Sequence, residues 1–146
     1  MASVELWFEF ASTYSYPAVA RIGPLAVARG LAITWRPLLL GPIFRAQGWN
    51  DSPFNVYPVR WVYHANFADD RDIADAAVLA EVLGALGQPA AELLARAGAP
   101  ETKEELRRQT ERATELGIFG APTCVVGGEL FWGNDRLEDA IAWATR

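Results

Sequence analysis

The chain has 146 residues, of which 51% are hydrophobic and 21% charged, so it can form one globular domain with an ordinary core. Its net charge of −5 argues against nucleic-acid binding, and the lack of a basic leader or a long apolar span predicts a cytoplasmic protein that does not enter membranes. One cysteine and one histidine exclude an intrachain disulfide, a Cys-x-x-Cys redox pair and a metal site of thiolates or several imidazoles.

The first 37 residues predict a β-α-β unit. Apolar and polar residues alternate over 4–10, which is typical of a strand. The segment 12–15 then begins a run of apolar residues at helical spacing, and Gly30 is expected to end that helix. Residues 31–37 are predicted to form a second strand, reached by a right-handed crossover.

The middle of the chain is different in composition. Residues 38–58 contain three prolines and two glycines, so we expect mostly loop, with one helical turn near 44–47. Four helices are predicted to follow, over 59–67, 75–83, 89–97 and 101–116. Asp75 is expected to cap the second of these helices, and Gly84 and Gly87 to end it, while Gly98 should lie just beyond the third. The last of the four is strongly charged and is interpreted as a solvated helix face.

The C-terminal third returns to strands. Gly127 and Gly128 separate two short apolar runs, 123–126 and 129–132, which is a strong hairpin signal. Asn134 is expected to cap a final helix. The whole order, β-α-β, helices and β-β-α, predicts an α/β, thioredoxin-like fold whose four-stranded mixed sheet is flanked by helices.

The most suggestive polar pattern is Ser12-x-x-Ser15, between the first strand and the first helix. Free backbone N–H groups and the positive helix end favour a negative group at such a place. A serine hydroxyl can donate a hydrogen bond to a sulfur that a ligand supplies, but serine is also a common helix cap, and on spacing alone the cap is favoured.

Other polar residues leave similar alternatives open. Asn134 and Asp135 suit either a helix cap or the amine of a ligand. Cys124, at a strand position, is predicted to be a small buried apolar residue rather than a reactive thiol.

Three blocks of sequence together resemble the 2-hydroxychromene-2-carboxylate isomerase family, which belongs with the DsbA-like and kappa-class glutathione transferase proteins. They are FEFASTYSY at 8–16, GAPT at 120–123 and GELFWGNDRL at 128–137. Residues 38–48 and 65–73 look like further family blocks. The order and spacing of the blocks extend the resemblance over nearly the whole chain.

The resemblance implies a thioredoxin-like fold with glutathione as the cofactor. Ser12 matches the family's catalytic serine, which positions the glutathione sulfur. Pro122 matches the family's cis-proline, and Ala121 matches the residue whose backbone pairs with the cysteinyl part of glutathione. The segment that holds the γ-glutamyl end is matched by Gly133, Asn134 and Asp135.

The resemblance also implies a reaction: isomerisation of 2-hydroxychromene-2-carboxylate to trans-o-hydroxybenzylidenepyruvate in aromatic degradation. A small aromatic carboxylate needs local positive charge in an acidic protein. Arg45 is the candidate for that charge, with Asn55 as a polar partner and Phe44 as an aromatic wall. The alternative for Arg45 is an exposed residue of a helical turn, and for Phe44 an ordinary core position.

Two departures from the family pattern are visible. Thr13 stands where the family commonly has proline, and a long helical stretch of the family is missing between residues 58 and 59. We therefore expect one domain over 1–146 that contains a shortened helical insert at 39–98. Loss of packing partners in that insert favours a homodimer or local disorder. It also leaves two other functions open: a kappa-class-like glutathione transferase or peroxidase, and a non-catalytic module that binds glutathione or a protein.

Overall fold

The structure, a computed structural model, describes residues 2–10, 12–48, 72 and 75–146. In these ranges the elements are β1 (Ser3–Phe8), α1 (Ser15–Val27), β2 (Ala32–Pro37), α2 (Leu40–Ala46), α3 (Ala76–Ala85), α4 (Ala90–Gly98), α5 (Pro100–Glu115), β3 (Thr123–Val126), β4 (Glu129–Trp132) and α6 (Leu137–Ala144). None of the helices in this part of the chain has the length and apolar character needed to cross a membrane.

The strands form one four-stranded mixed sheet in the order β2-β1-β3-β4, within the described residues. β1 pairs with β2 in parallel and with β3 in antiparallel register, where Leu6 lies opposite Cys124. β3 and β4 form the predicted hairpin around Gly127 and Gly128, whose positive φ angles of 58° and 90° suit glycine. The predicted four-stranded mixed sheet is thus confirmed.

Alternate residues of the two central strands fill two cores, one on each face of the sheet. Val4 and Leu6 point to the face that α1 and α6 cover, and both are fully buried. α1 meets them through a stripe at helical spacing, Ala18, Ile22 and Ala26. On this face of the sheet, residues from the first third of the chain pack against residues from the last third.

The opposite face of the sheet is covered by α2 and α5. Trp7 is only 2% exposed there, because it packs with Val125, with Ile43 of α2 and with Ala113 of α5. The alternation predicted over 4–10 stops early: β1 ends at Phe8, and Phe10 is 63% exposed.

The proline-rich segment is more helical than predicted. Instead of one turn near 44–47, α2 extends from Leu40 to Ala46. Pro42 lies in the first turn of α2, where its missing N–H costs no intrahelical hydrogen bond. Leu40 and Ile43 are buried and anchor the helix on the sheet. The helix predicted over 59–67 lies outside the described residues.

Two glycines expected to end helices lie inside them. Asp75 does cap α3, since its Oδ1 accepts the Ala77 N–H at 2.8 Å. α3 passes Gly84 and ends at Ala85, and Gly87, with a φ of +68°, lies just beyond that end, as predicted. Gly98 is the last residue of α4 rather than the residue beyond it. A helical glycine costs only about 1 kcal/mol, so a single one does not end a helix unless the turn needs a positive φ.

Candidate functional site

Ser12 lies in the turn between β1 and α1, and its side chain is 1% exposed. Its backbone N–H donates to the Glu9 carbonyl at 3.1 Å, which fixes the turn. Its Oγ accepts the N–H of Ser15, the first residue of α1, at 3.3 Å. The same hydroxyl donates to the carbonyl oxygen of Ala121 at 3.1 Å. Ser12 therefore supports the start of the helix and also ties that start to a segment 109 residues away.

Glu9 is a partly buried carboxyl just before this turn. Its Oε1 accepts the N–H of Leu40, at the start of α2, at 3.2 Å. Burial raises the pKa of Glu9 above the ordinary 4.5, and this backbone hydrogen bond opposes the rise. Glu9 thus joins the end of β1 to α2, close to the Ser12 turn.

The Ala121–Pro122 peptide bond is cis, as the resemblance implies. Pro122 is buried directly before β3, an inner strand of the sheet. Its carbonyl accepts the N–H of Gly133 at 2.9 Å. The Ser12 turn, the cis-proline and the loop after β4 are consequently connected by a chain of hydrogen bonds.

The loop after β4 is held from outside by Arg21 of α1. Arg21 Nη1 donates to the side-chain Oδ1 of Asn134 at 2.9 Å and to its backbone carbonyl at 3.2 Å. The other nitrogen, Nη2, pairs with Glu138. The prediction that Asn134 caps the final helix is wrong. Asn134 begins a 3-10 turn, α6 starts at Leu137, and the Asn134 amide oxygen is taken by Arg21.

Gly133 and Asp135 fit together within this loop. Gly133 has a φ of +108°, a conformation that side chains with a Cβ rarely adopt. The Asp135 carboxylate lies against the Gly133 Cα, so a Cβ at Gly133 would collide with Asp135 Oδ1. The glycine therefore allows the turn and makes room for the carboxylate.

A cavity of about 670 Å³ opens between these segments. Its lining residues come from the α1 turn, the cis-proline and the loop after β4: Tyr14, Ala121, Pro122, Trp132, Gly133, Asn134, Asp135 and Arg136. This volume is typical of small-molecule sites. All the residues predicted to hold a cofactor line the cavity except Ser12, which lies behind it, bonded to Ala121.

The predicted substrate residues do not join this group. Arg45 is exposed near the end of α2 and does not line the cavity. Phe44 is partly buried and packs against the core on the α2 and α5 side of the sheet. Asn55 lies outside the described residues. Their positions agree with the alternative interpretations in the sequence analysis: Arg45 is an exposed helical residue, and Phe44 packs against the core.

Four residues of the site, Tyr14, Arg21, Trp132 and Arg136, were not predicted as functional. Tyr14 and Trp132 line the cavity and are 73% and 53% exposed, so they form an aromatic rim. Both lie in sequence blocks that carried the family resemblance, so that resemblance could have identified them. Arg21 had no such signal, because it reaches Asn134 across 113 residues of sequence.

Gly120 is a glycine position because of the Trp132 side chain. The Trp132 indole lies over it, and a Cβ on Gly120 would approach Trp132 Nε1 to 2.6 Å. Trp132 also contacts Phe119, with ring centroids 5.0 Å apart. Gly120 therefore lets the rim residue Trp132 lie close to the cis-proline segment.

Cys124 is buried in β3, as predicted, with 1% of its surface exposed. Burial raises the pKa of its thiol to about 12. A thiol with that pKa is almost entirely protonated at neutral pH, so Cys124 is no nucleophile here.

A family model of the DSBA-like thioredoxin domain matches residues 56–141. The chain is 26% identical over 185 residues to 2-hydroxychromene-2-carboxylate isomerase of Sphingobium xenophagum, covering 93% of this chain and 94% of that one. It is also 26% identical over 186 residues to 2-hydroxychromene-2-carboxylate isomerase of Pseudomonas putida, covering 92% and 90% of the two chains.

A solved structure of 2-hydroxychromene-2-carboxylate isomerase superposes on the chain with a TM-score of 0.79. The identity is 22%, and the superposition covers 97% of this chain and 95% of the other. The likeness confirms the predicted thioredoxin-like fold. Both matched lengths to the curated relatives exceed the 146 residues of this chain, so those alignments contain gaps on its side.

Proposed function

Since this chain belongs to the DSBA-like thioredoxin domain family, we propose that it is a glutathione-dependent isomerase of the 2-hydroxychromene-2-carboxylate type. The observation that carries the proposal is the position of Ser12, which lies at the start of α1, within hydrogen-bond distance of Ala121 and beside cis-Pro122, at the cavity. The two relatives that match over most of their length bear the name of this isomerase. With one cysteine, buried in β3, the chain has no pair for disulfide exchange.

The residues around the cavity suit glutathione. The backbone of Ala121 borders the cavity and offers peptide groups for the cysteinyl part. The γ-glutamyl end carries an ammonium and a carboxylate. The Asp135 carboxylate would attract the ammonium, and the loop of Asn134 and Asp135 would hold this end. Arg21 keeps Asn134 in place, so the loop is organised before the ligand arrives.

Ser12 needs one rearrangement to act on a thiol. Its hydroxyl proton is directed at the Ala121 carbonyl, and the side chain is 1% exposed. A rotation of the hydroxyl away from Ala121 would let it donate to a sulfur placed beside cis-Pro122. The acceptor bond from Ser15 N–H, together with the nearby start of α1, would hold the oxygen and favour a negative sulfur there.

Bound glutathione would supply the thiolate that adds to the ring-opened substrate, allows rotation about the former double bond and then leaves. The protein itself would bind glutathione and the substrate and orient them toward each other. Tyr14 and Trp132 flank the cavity and offer aromatic faces to a planar substrate. Arg136 lines the same cavity, although Asp139 already accepts from its Nε at 2.6 Å. Phe44, Arg45 and Asn55 remain proposed substrate residues.

A second candidate function is a module that binds glutathione without turnover. The burial of Ser12 favours it, because a serine that keeps its bond to Ala121 would not reach a sulfur. The predicted shortening of the helical insert would favour it too, since the substrate side of the site would then be incomplete.

A spectroscopic assay of 2-hydroxychromene-2-carboxylate conversion, with and without glutathione, tests the proposal. We expect glutathione to be required and Ser12→Ala to lower the rate by at least about a hundredfold. Thr13→Ala is the matched control and should retain the rate. Glutathione binding without conversion would favour the binding module. Conjugation of another electrophile would favour a kappa-class-like transferase, and equal rates in Ser12→Ala would remove Ser12 from the mechanism.

A further inference from the structure

A second cavity, of about 680 Å³, lies between α5 and the sheet. None of its lining residues lines the cavity near Ser12. One wall is the sheet, through Ser3, Glu5, Trp7, Arg36, Val125 and the Gly127–Gly128 turn. The other wall is one stripe of α5 and the residue after it: Glu105, Arg108, Gln109, Arg112 and Leu116. We call this space the α5 groove.

The α5 groove lies beside the contact through which α5 packs on the sheet. That contact is made by the buried Thr110 and Ala113, as expected for a helix on a sheet. The stripe that lines the groove is more exposed, and three of its five residues are charged. The facing strand residues Glu5 and Arg36 are charged as well. Charged side chains of both walls therefore meet in one groove, where a ligand of complementary charge could bind.

Glu5, the acidic residue of the sheet wall, already has hydrogen-bond partners. Arg36 Nη2 donates to Glu5 Oε1 at 2.9 Å, and the Trp7 indole N–H donates to Glu5 Oε2 at 3.1 Å. Both carboxylate oxygens of Glu5 are therefore engaged, so Glu5 is not available to neutralise the arginines of α5.

The basic groups of the helix wall are less well paired. Within the described part of the chain, no ion pair reaches Arg108. Arg112 pairs with Glu115 at 3.3 Å, on the exposed side of the helix and outside the groove lining. Arg108 and Arg112 are four residues apart on one face, and like charges at that spacing repel. An anion between them would remove the repulsion.

We propose that the α5 groove binds a small monocarboxylate with an apolar body, through Arg108 and Arg112. The guanidinium forks match a carboxylate in geometry and charge. Trp7, Val125 and Leu116 supply an apolar floor for the rest of the molecule. Glu105 in the lining disfavours a more highly charged anion such as phosphate. The groove is a site separate from the proposed glutathione site and does not depend on it.

Benzoate is the probe, titrated into the ¹⁵N-labelled full chain and followed by NMR. We expect the Gly127 and Gly128 amides and the Trp7 indole N–H to shift together and to saturate. Arg108→Ala and Arg112→Gln should each weaken that binding about tenfold. Arg107→Ala removes the same charge from the same helix, but Arg107 lies outside the groove lining and should bind benzoate like the parent chain.

Each other outcome counts against the proposal. It is overturned by the absence of saturable shifts at the three probes, or by equal weakening in Arg107→Ala, which would indicate a general charge effect. Phosphate moving the same resonances while benzoate does not would refute the carboxylate assignment. Benzoate bound near Ser12 would move Gly133 instead, so the two sites are read separately.

Discussion

The Ser12 hydroxyl donates to the carbonyl oxygen of Ala121, the residue before cis-Pro122, across 3.1 Å. One bond thus joins the start of α1 to the segment before β3, and the oxygen of that hydroxyl also accepts the Ser15 N–H. A single side chain therefore combines a structural role with the role proposed for it in binding sulfur.

The structural role of Ser12 predicts a measurable loss of stability. Ser12→Ala leaves the buried Ala121 carbonyl without this donor, while the Ser15 N–H keeps the backbone carbonyl of residue 12 at 3.1 Å. The free energy of unfolding should therefore fall by about 1–3 kcal/mol in urea denaturation. Thr13→Ala removes a neighbouring hydroxyl that is only partly buried, so it should change the free energy of unfolding by less than about 0.5 kcal/mol. Equal stability of the two variants would show that the Ser12 bonds contribute little.

Arg21 should act on ligand affinity rather than on stability. Its contacts with Asn134 and Glu138 are exposed, so Arg21→Ala should cost less than about 1 kcal/mol of stability. The released loop should bind glutathione several-fold more weakly in calorimetry. Arg29→Ala, an exposed arginine just beyond the same helix, is the control. Unchanged affinity in Arg21→Ala would show that the loop keeps its shape without Arg21.

Gly120 should tolerate no side chain. In Gly120→Ala, the new Cβ would meet Trp132 Nε1 at 2.6 Å and displace the indole, so we expect a loss of about 1–3 kcal/mol. Gly98→Ala is the contrasting variant, because no atom lies within 4 Å of its Cβ and it ends α4. It should raise the free energy of unfolding by up to about 1 kcal/mol. A stable Gly120→Ala with unchanged Trp132 fluorescence would contradict the packing described.

Glu9 should destabilise the protein at neutral pH. Burial raises its pKa, so the folded chain binds the proton more tightly than the unfolded chain does. This contribution to stability therefore grows as pH falls through the raised pKa toward 4.5, and the buried charge costs stability above it. Glu9→Gln keeps an acceptor for Leu40 and should raise the melting temperature at pH 7, by less at pH 5.

Glu104 supplies the control with the opposite sign. The hydrogen bond from Arg107 holds the pKa of Glu104 below 4.5, so its contribution is present above that pH and lost as pH falls. Glu104→Gln should therefore lower the melting temperature slightly at pH 7. If Glu9→Gln lowered it as well, the buried carboxylate would be stabilising and the account of Glu9 would fail.

Cys124 should be inert in the folded chain. With a pKa of about 12, its thiolate fraction at pH 8 is about a thousandfold below that of an ordinary thiol, and burial blocks access as well. Ellman's reagent should therefore react with Cys124 only after denaturation. Rapid reaction of the native protein would mean that β3 opens readily.

The sequence predicted best those features that depend on neighbouring residues. The hairpin was placed correctly because Gly127 and Gly128 permit the turn by themselves, and the Asp75 cap acts over two residues. The family blocks identified the cis-proline, which has no distinctive local pattern, and they favoured a functional role for Ser12 over that of a helix cap. Contacts across the fold were missed: Asn134 was predicted as a cap because nothing nearby in sequence reveals Arg21 as its partner.

The arrangement of β1 has a consequence for the order of folding. β1 pairs locally with β2, but it meets β3 only across more than a hundred residues. Loop closure over that distance is slow compared with formation of a local β-α-β unit. During synthesis, the cavity near Ser12 therefore cannot exist until residues 121–136 have left the ribosome, so ligand binding reports that the β3–β4 hairpin is in place.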